Sequence, residues 1–302
     1  MNDNGITPRK RRRLKISHLL IILLLAGAGA FAFYRLSLKS KLKARIDALR
    51  AAGYPVTCAE LDKWYTIPEN VENAAHTIID AFWCYRELGE TKSLPLIGQA
   101  KLPARTELLP EEMKVSIAQY ITDNNEALTL LHKAAAIEHC RYPVDLNSGF
   151  DVQLNHLSKL RKSMMLLNLE AVLHAENDKS QSAAHSVISG FSLAHSLVKE
   201  PVFISQLVRI ACHGLAVSVL ERVINRTVFT DEQLSELDHC LIGAEDHSAL
   251  ARAYAGDRCQ LLDALKKPES LKSAITGYNM PITPFLDLYI AVGLADMDSI
   301  IY

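Results

Sequence analysis

Three polar side chains lie in an otherwise apolar helical stretch, VFISQLVRIACHGLAVSVLERV (residues 202–223). Gln206, Arg209 and His213 are spaced i, i+3 and i+7, so they share one face of a helix. Because burying a guanidinium without partners is expensive, Arg209 should meet a carboxylate or carbonyl groups. This polar stripe predicts either a pocket between helices or, more simply, a buried pair that fixes the helix register.

Glu170, on a preceding helix, is one candidate partner for Arg209. It also shares a helix face with His174 at spacing i, i+4. A pocket around Gln206, Arg209, His213 and Glu170 would bring titratable groups together, as an acid–base or ligand-binding site requires.

The remaining histidines and cysteines form no metal motif. The chain has 11 His and six Cys, but no C-x-x-C, no H-E-x-x-H and no repeated Glu-x-x-His. We therefore predict no metal and no cofactor. The cysteines are expected to be free thiols on helix faces. Disulfides Cys58–Cys84 and Cys240–Cys259 are the alternative if the domain lies outside the cytoplasm.

The familiar catalytic motifs are also missing. The sequence contains no nucleophile elbow, phosphate loop, dinucleotide fingerprint or paired-carboxylate motif. A catalytic group assembled from distant residues remains open, because such groups are recognised by geometry and not by sequence order.

The elements that must position these side chains are helices. The chain is 49% hydrophobic with only 13 Gly and 11 Pro, which is too little turn material for an all-β protein. Apolar residues recur at helical spacing, and the links between these segments are short, which favours antiparallel helical hairpins. The predicted helices cover 58–65, 70–88, a segment starting at Pro110, 123–139, 152–176, 180–198, 202–226, 231–243 and 248–266.

One predicted hairpin, 152–176 with 180–198, weakly resembles a tetratricopeptide unit. His174 stands where that repeat usually has an aromatic residue, and the next pair of helices does not repeat the pattern. We therefore expect stacked hairpins and not a regular repeat array. The residues at the repeat's spacing are Leu167, Ala171, Ala183, Val187 and Gly190.

Two stretches lie outside this series of hairpins. Residues 89–109 lack a sustained period and form the longest predicted loop. The end of the chain, TPFLDLYIAVGLADMDSIIY (residues 283–302), is apolar with a helical period and has no cap. We expect the natural protein to continue beyond Tyr302, because such a helix should bury a face against a later segment.

An uncharged segment near the N-terminus predicts a membrane anchor. Residues 16–34 read ISHLLIILLLAGAGAFAFY, 19 residues that span about 28 Å as a helix, close to the roughly 30 Å hydrocarbon core. We predict a basic cytoplasmic tail at 1–15, a transmembrane helix at 16–34, a juxtamembrane helix at 35–53 and a soluble helical domain at 54–302. Gly53 is the expected C-cap.

Cleavage as a signal peptide is the alternative to an anchor. Ala28-Gly29-Ala30 and Ala30-Phe31-Ala32 both fit the small-x-small pattern. The helical pattern nevertheless continues without a break to Gly53, which favours an uncleaved anchor. The cations that flank the segment are nearly balanced, so the basic tail itself decides the orientation, with the N-terminus inside.

Charge is divided unevenly along the chain. The first 50 residues hold 12 Lys/Arg and two Asp, whereas the rest holds 21 Lys/Arg and 32 Asp/Glu. An acidic domain lacks the basic surface that nucleic-acid binding needs, so we predict no nucleic-acid partner. The basic part lies beside the predicted bilayer.

Four stretches together resemble a group of proteins: GYPVTCAELDKWY, PENVENAA, CRYPVDL and EPVFISQLVRIA. The group consists of uncharacterised, membrane-anchored helical proteins of planctomycete-like and verrucomicrobial-like bacteria. The resemblance spans about residues 50–300 and contains no catalytic motif. It implies a bacterial single-pass protein and assigns no functional residue.

The sequence therefore predicts a membrane-tethered helical module that interacts with a protein or peptide near the bilayer. The predicted location is the bacterial cytoplasmic membrane, with the soluble domain on the periplasmic or external side. The alternative is a hydrolase-like envelope enzyme with its pocket around Arg209, His213 and Glu170.

Overall fold

The computed structural model describes residues 16–87 and 92–266. It divides at Gly53 into two compact units, each considered by itself. Within the described ranges the chain is all-helical, apart from one isolated bridge between Pro95 and Ala100. The apolar end at 283–302 lies outside the described residues, and so does the predicted continuation beyond Tyr302.

The first unit is described from residue 16 to residue 53 and is one long helix, α1 (Ile16–Ala51). Its apolar part and the charged part after Tyr34 are continuous, as the sequence predicts. Gly53 follows with φ of +80°, and its N–H donates to the Arg50 carbonyl. This left-handed residue ends the helix as a glycine at C′ does.

The second unit contains nine described α-helices and one short 3-10 helix at Leu146–Asp151. The α-helices follow in chain order: α2 (Cys58–Trp64), α3 (Ala74–Cys84), α4 (Glu111–Asp123), α5 (Asn125–Ala135), α6 (Asn155–Glu176), α7 (Ser180–His195), α8 (Phe203–Ile224), α9 (Asp231–Ala244) and α10 (Ser248–Lys266).

The core lies around α6 and α7, which pack against each other. Helix α8 packs on both of them, α3 and α4 also pack on α6, and α5 and α9 lie against α7. Thirteen of the residues of α6 are buried, including Leu160, Leu167 and Leu169. This helix is therefore covered on nearly all sides, as the central helix of an all-α domain must be.

Two predicted helices are at least six residues shorter in the structure, and several others differ by three residues or fewer. The segment expected from residue 70 begins only at Ala74, because Asn70 has φ of +61° and Asn73 caps the helix through a bond from the Ala75 N–H. The helix expected to reach residue 139 ends at Ala135. The 3-10 helix at Leu146–Asp151 was not predicted.

The break between α7 and α8 contains a fully buried carboxylate. Glu200 is 0% exposed and accepts hydrogen bonds from Tyr65, His156 and Ser205. The Tyr65 hydroxyl in turn accepts from the Tyr142 N–H at 2.9 Å. Glu200 thus ties the α7–α8 corner to the chain before α3 and to the start of α6, and its acceptors are satisfied.

Candidate functional site

The polar stripe is buried on α8, as its spacing indicated. Gln206 is 0% exposed, and its side-chain amide donates to the Leu197 and Glu200 carbonyls at 2.7 and 2.8 Å. Its oxygen accepts from Arg209 Nε at 2.7 Å. Gln206 therefore closes the end of α7 onto the start of α8, and all of its polar atoms have partners.

Arg209 is also buried and meets a carbonyl group, one of the two kinds of partner expected for it. Besides Gln206, its guanidinium donates to the Asp246 carbonyl at 3.1 Å, and Nη1 has no hydrogen-bond partner. Burial lowers the pKa of Arg209, and the negative charge of Asp246 partly opposes this shift. The predicted contact with Glu170 is wrong.

Glu170 is held instead by residues of α5 and α7. Its Oε2 accepts from His132 Nε2 at 2.8 Å and from Ser186 Oγ at 2.7 Å, and His174 lies 3.9 Å from Oε1. Burial raises the pKa of Glu170, but the bonds from His132 and Ser186 outweigh it, so the pKa is lowered overall. Sequence spacing could not show this partnership, because His132 is 38 residues away.

The same network contains a serine–histidine–acid sequence of hydrogen bonds. Ser189 Oγ lies 2.8 Å from His132 Nδ1, and the opposite ring nitrogen meets Glu170. The order resembles that of a hydrolytic triad. Ser189 is only 1% exposed, however, and it does not line the cavity described below. We interpret the network as a satisfied polar cluster that joins α5, α6 and α7.

His213 differs from its neighbours because neither ring nitrogen has a hydrogen-bond partner. The side chain is buried, 8% exposed, and its ring lies 5.7 Å from that of Phe191. Burial lowers the pKa of His213 to about 4, with smaller contributions from the positive charges of Arg209 and His195. The imidazole is therefore neutral near pH 7, with one donor and one acceptor unused.

His213 lies in the wall of a cavity of about 340 Å³ where α3, α5, α7, α8 and α9 meet. That volume is within the range of roughly 300–1,000 Å³ that small-molecule sites occupy. Most of the wall is apolar. Its buried apolar side chains are Ala74, Ile78, Leu131, Ala134, Phe191 and Leu193.

The mouth of the cavity carries the charged and titratable groups. His195 and Glu138 are exposed there, and Lys199 and His139 are partly exposed. Desolvation and the nearby Arg209 lower the pKa of His195. The cavity therefore has an apolar floor, one unpartnered histidine in its wall and a polar rim.

The cysteines of the wall are poor nucleophiles. Burial raises the pKa of Cys140 to about 12 and also raises that of Cys240, so both are protonated at neutral pH. None of the six cysteines, all of which lie in the described residues, forms a disulfide. Within residues 16–87 and 92–266, no three His, Cys, Asp or Glu side chains form a group that could hold a metal ion.

The sequence identified His213 but not the groups that surround it. Phe191, His195 and the apolar floor come from segments whose only local signal is helical spacing. His195 does stand in the last turn of α7, five residues before Glu200. From that position the sequence predicts that His195 lies near a turn between two helices, but it does not predict that His195 lines a cavity.

Comparisons of the whole chain with protein-family models, with curated proteins and with solved structures give no match. The cavity must therefore be interpreted from its own chemistry.

Proposed function

We propose that this chain is a single-pass membrane protein whose helical domain is a binding module, with its site in the cavity beside His213. The observation that carries the binding role is the pair of unpartnered nitrogens of His213, buried in a mostly apolar cavity wall. A buried polar group without a partner costs free energy, and a ligand that supplies the partner recovers that cost.

The proposal of a membrane anchor is based on the exposed apolar surface of α1. Two helices of the described chain are long and apolar enough to cross a membrane: His18–Ala51 within α1, and α8. None of the apolar window of α1 is buried, whereas α8 packs into the core and carries the buried Arg209 and Arg222. Lipid would cover the exposed apolar surface of α1, whereas the protein core covers much of α8, so α1 is the proposed membrane helix.

The orientation and location follow from the basic tail and from the resemblance to anchored bacterial proteins. Six cations in residues 1–15 favour an N-terminus in the cytoplasm. The helical domain would then face the periplasm or the exterior, held at the bacterial cytoplasmic membrane. We also propose that its helices form stacked antiparallel hairpins, supported by the three-residue link between α6 and α7.

Removal of the anchor should release the protein from the membrane. Deletion of residues 16–34, with the rest of the chain retained, should move it from the membrane pellet to the soluble fraction. A reporter that is active only after export, fused after Tyr302 of the full chain, should be active. A cytoplasmic reporter active in the same position would reverse the orientation.

Binding explains the cavity better than hydrolysis does. An envelope enzyme centred on Arg209, His213 and Glu170 would need these three residues together, but Glu170 belongs to the His132 network. The cysteines in the wall have raised pKa values and lack the activation that a nucleophile needs. A cavity with one unpartnered polar group and an apolar floor is typical of a site that orients a ligand.

Filling the cavity should abolish binding. Ala244, a half-buried wall residue at the end of α9, can be replaced by Trp to occupy the space. Native mass spectrometry of the full chain, purified from its own membranes, should show a bound mass that Ala244→Trp lacks. Ala251→Trp, at an exposed position on α10, is the matched control and should keep the mass.

The comparison requires that both Trp variants melt within a few degrees of the unsubstituted chain. An identical bound mass on Ala244→Trp would place the ligand elsewhere. A chain that carries no bound mass in any form would contradict a binding role for this cavity.

A further inference from the structure

The chemistry around His213 narrows the class of ligand, an inference that rests on the proposed binding function. A ligand here needs a polar atom at one end, because His213 offers one donor and one acceptor that no protein group uses. The terminal torsion of a histidine side chain is broad, so a small ring rotation can turn either nitrogen toward the cavity.

The electrostatic surroundings of His213 favour negative charge. Arg209 lies one turn before it on α8, is 3% exposed and has one guanidinium nitrogen without a partner. His195, from the last turn of α7, is the second group whose positive charge acts on the His213 ring. No acidic residue acts on His213 to a comparable degree among the described residues.

Acidic groups do occur farther out, and they limit how much negative charge the cavity can accept. Asp246 interacts with Arg209 and His195, and its pKa is lowered in part by both of them. Glu138 lies at the mouth, and its negative charge offsets the positive charge that Lys199 and His139 bring to the rim. Arg209 does not itself line the cavity, and Asp246 already opposes its charge, so these surroundings suit a single negative charge and not a phosphate dianion.

The rest of the cavity requires an apolar body. The buried side chains of Ile78, Leu131, Phe191 and Leu193 make a large part of the wall apolar. A linear or aromatic group of modest size would exclude water from these side chains and gain the free energy of apolar burial.

We propose that the ligand is an apolar monocarboxylate, with its carboxylate bound by His213 and His195 near Arg209 and its apolar body against Phe191 and Leu131. The source is either a small free acid or the C-terminus of a peptide that ends in an apolar residue. Binding near pH 7 would be accompanied by uptake of one proton from solvent, because the neutral His213 ring becomes an imidazolium beside the carboxylate.

The test uses the full chain in detergent micelles and isothermal titration with 3-phenylpropionate and its neutral analogue 3-phenylpropanamide. Titration in phosphate and in Tris buffer at pH 7 gives the number of protons taken up, with empty micelles as the blank. We expect the carboxylate to bind about tenfold tighter than the amide, as expected for a charge-assisted hydrogen bond, with uptake of about one proton.

His213→Gln should reduce carboxylate affinity to that of the amide and remove the proton uptake, because glutamine does not titrate. His239→Gln, at an exposed position on α9 outside the cavity wall, is the matched control and should change neither result. The tripeptide Ala-Ala-Phe with a free C-terminus separates the two sources. Tighter binding than 3-phenylpropionate assigns the carboxylate to a peptide terminus, and weaker binding assigns it to a small acid.

Two outcomes would overturn the inference, and they can be told apart. Equal affinity for carboxylate and amide, both lost in Ala244→Trp, would show a cavity that binds apolar neutral ligands, so the carboxylate is wrong and the binding site stands. If neither compound binds more tightly to the unsubstituted chain than to Ala244→Trp, both the carboxylate and the proposed site fail.

Discussion

Gly256→Ala should destabilise the helical domain by about 3 kcal/mol or more, at the upper end of the usual cost of overpacking. A Cβ added at Gly256 would lie 1.7 Å from the Pro201 carbonyl oxygen and 2.8 Å from its carbon. Both are backbone atoms, so no side-chain rotation relieves the clash. Helix α10 would have to move away from the corner between α7 and α8.

That movement would break several contacts of α10. The Phe203 N–H donates to Asp257 at 3.4 Å, the rings of Phe203 and Tyr254 lie 5.6 Å apart, and the Cys259 thiol donates to the Pro55 carbonyl at 3.2 Å. The intrinsic gain from replacing a helical glycine by alanine, roughly 1 kcal/mol, offsets only part of this loss.

Gly214→Ala is the matched control for this prediction, since Gly214 is also inside a helix and nothing lies within 4 Å of its added Cβ. It should stabilise the domain by about 0.5–1 kcal/mol. Urea unfolding followed by circular dichroism measures both changes. A Gly256→Ala protein as stable as the Gly214→Ala protein would mean that α10 does not cross Pro201 at this residue.

Glu176→Leu should cost about 3–5 kcal/mol, the range for breaking a buried ion pair from one side. The Glu176 side chain is 0% exposed, and its Oε1 accepts from Arg222 and Arg226, each at 3.1 Å. Its Oε2 accepts from the Leu109 N–H, also at 3.1 Å. The substitution leaves the Arg222 guanidinium, 3% exposed, without its counter-charge.

Loss of the Glu176 carboxylate should also make the segment before α4 more mobile. Arg222 donates to the carbonyls of Pro103, Ala104 and Glu107, which are otherwise part of an irregular stretch. Hydrogen exchange of residues 103–109 should therefore increase in Glu176→Leu, beyond the change expected from global stability alone.

An exposed pair provides the comparison for the buried one. Glu111 and Lys114 form an i, i+3 pair on α4 with Glu111 81% exposed, so Glu111→Ala should cost less than about 0.5 kcal/mol. Combining Glu176→Leu with Arg222→Met should recover part of the loss, because no uncompensated Arg222 charge then remains. Equal costs for Glu176→Leu and Glu111→Ala would contradict the buried pair.

Local signals in the sequence predicted local structure well. Thr230 and Gln233 have the spacing typical of a capping box and form one, with bonds of 3.3 and 3.0 Å that involve only four consecutive residues. Thr57 and Glu60 have the same spacing but form only half of such a box. Thr57 accepts from the Glu60 N–H, but the Glu60 carboxylate accepts from Val56. Helix spacing likewise placed Gln206, Arg209 and His213 on one buried face of α8.

The partners of these residues could not be predicted, because they come from distant parts of the chain. Arg222 reaches carbonyls more than 110 residues earlier, and Glu170 meets a histidine of α5. Burial of Arg209 follows from the apolar character of its helix, but its contact with the Asp246 carbonyl depends on how α9 ends. The cavity exists only where five helices meet, so no single segment encodes it.

The central claim is that the cavity beside His213 is occupied when the protein is in its own membrane. Two half-buried cysteines allow this to be measured without substitutions: Cys240 lines the cavity and Cys84, at the end of α3, does not. Desolvation is the largest cause that raises the pKa of each thiol, and because the ratio of their labelling rates is compared between two preparations, the two thiols need not be equally reactive.

The direct measurement is the labelling of Cys240 relative to Cys84 by N-ethylmaleimide, read by mass spectrometry of the peptides. We predict that Cys240 reacts more slowly relative to Cys84 in native membranes than in the purified chain after extensive washing, because the ligand covers it. The same ratio in both preparations would contradict an occupied cavity and, with it, the proposed binding function.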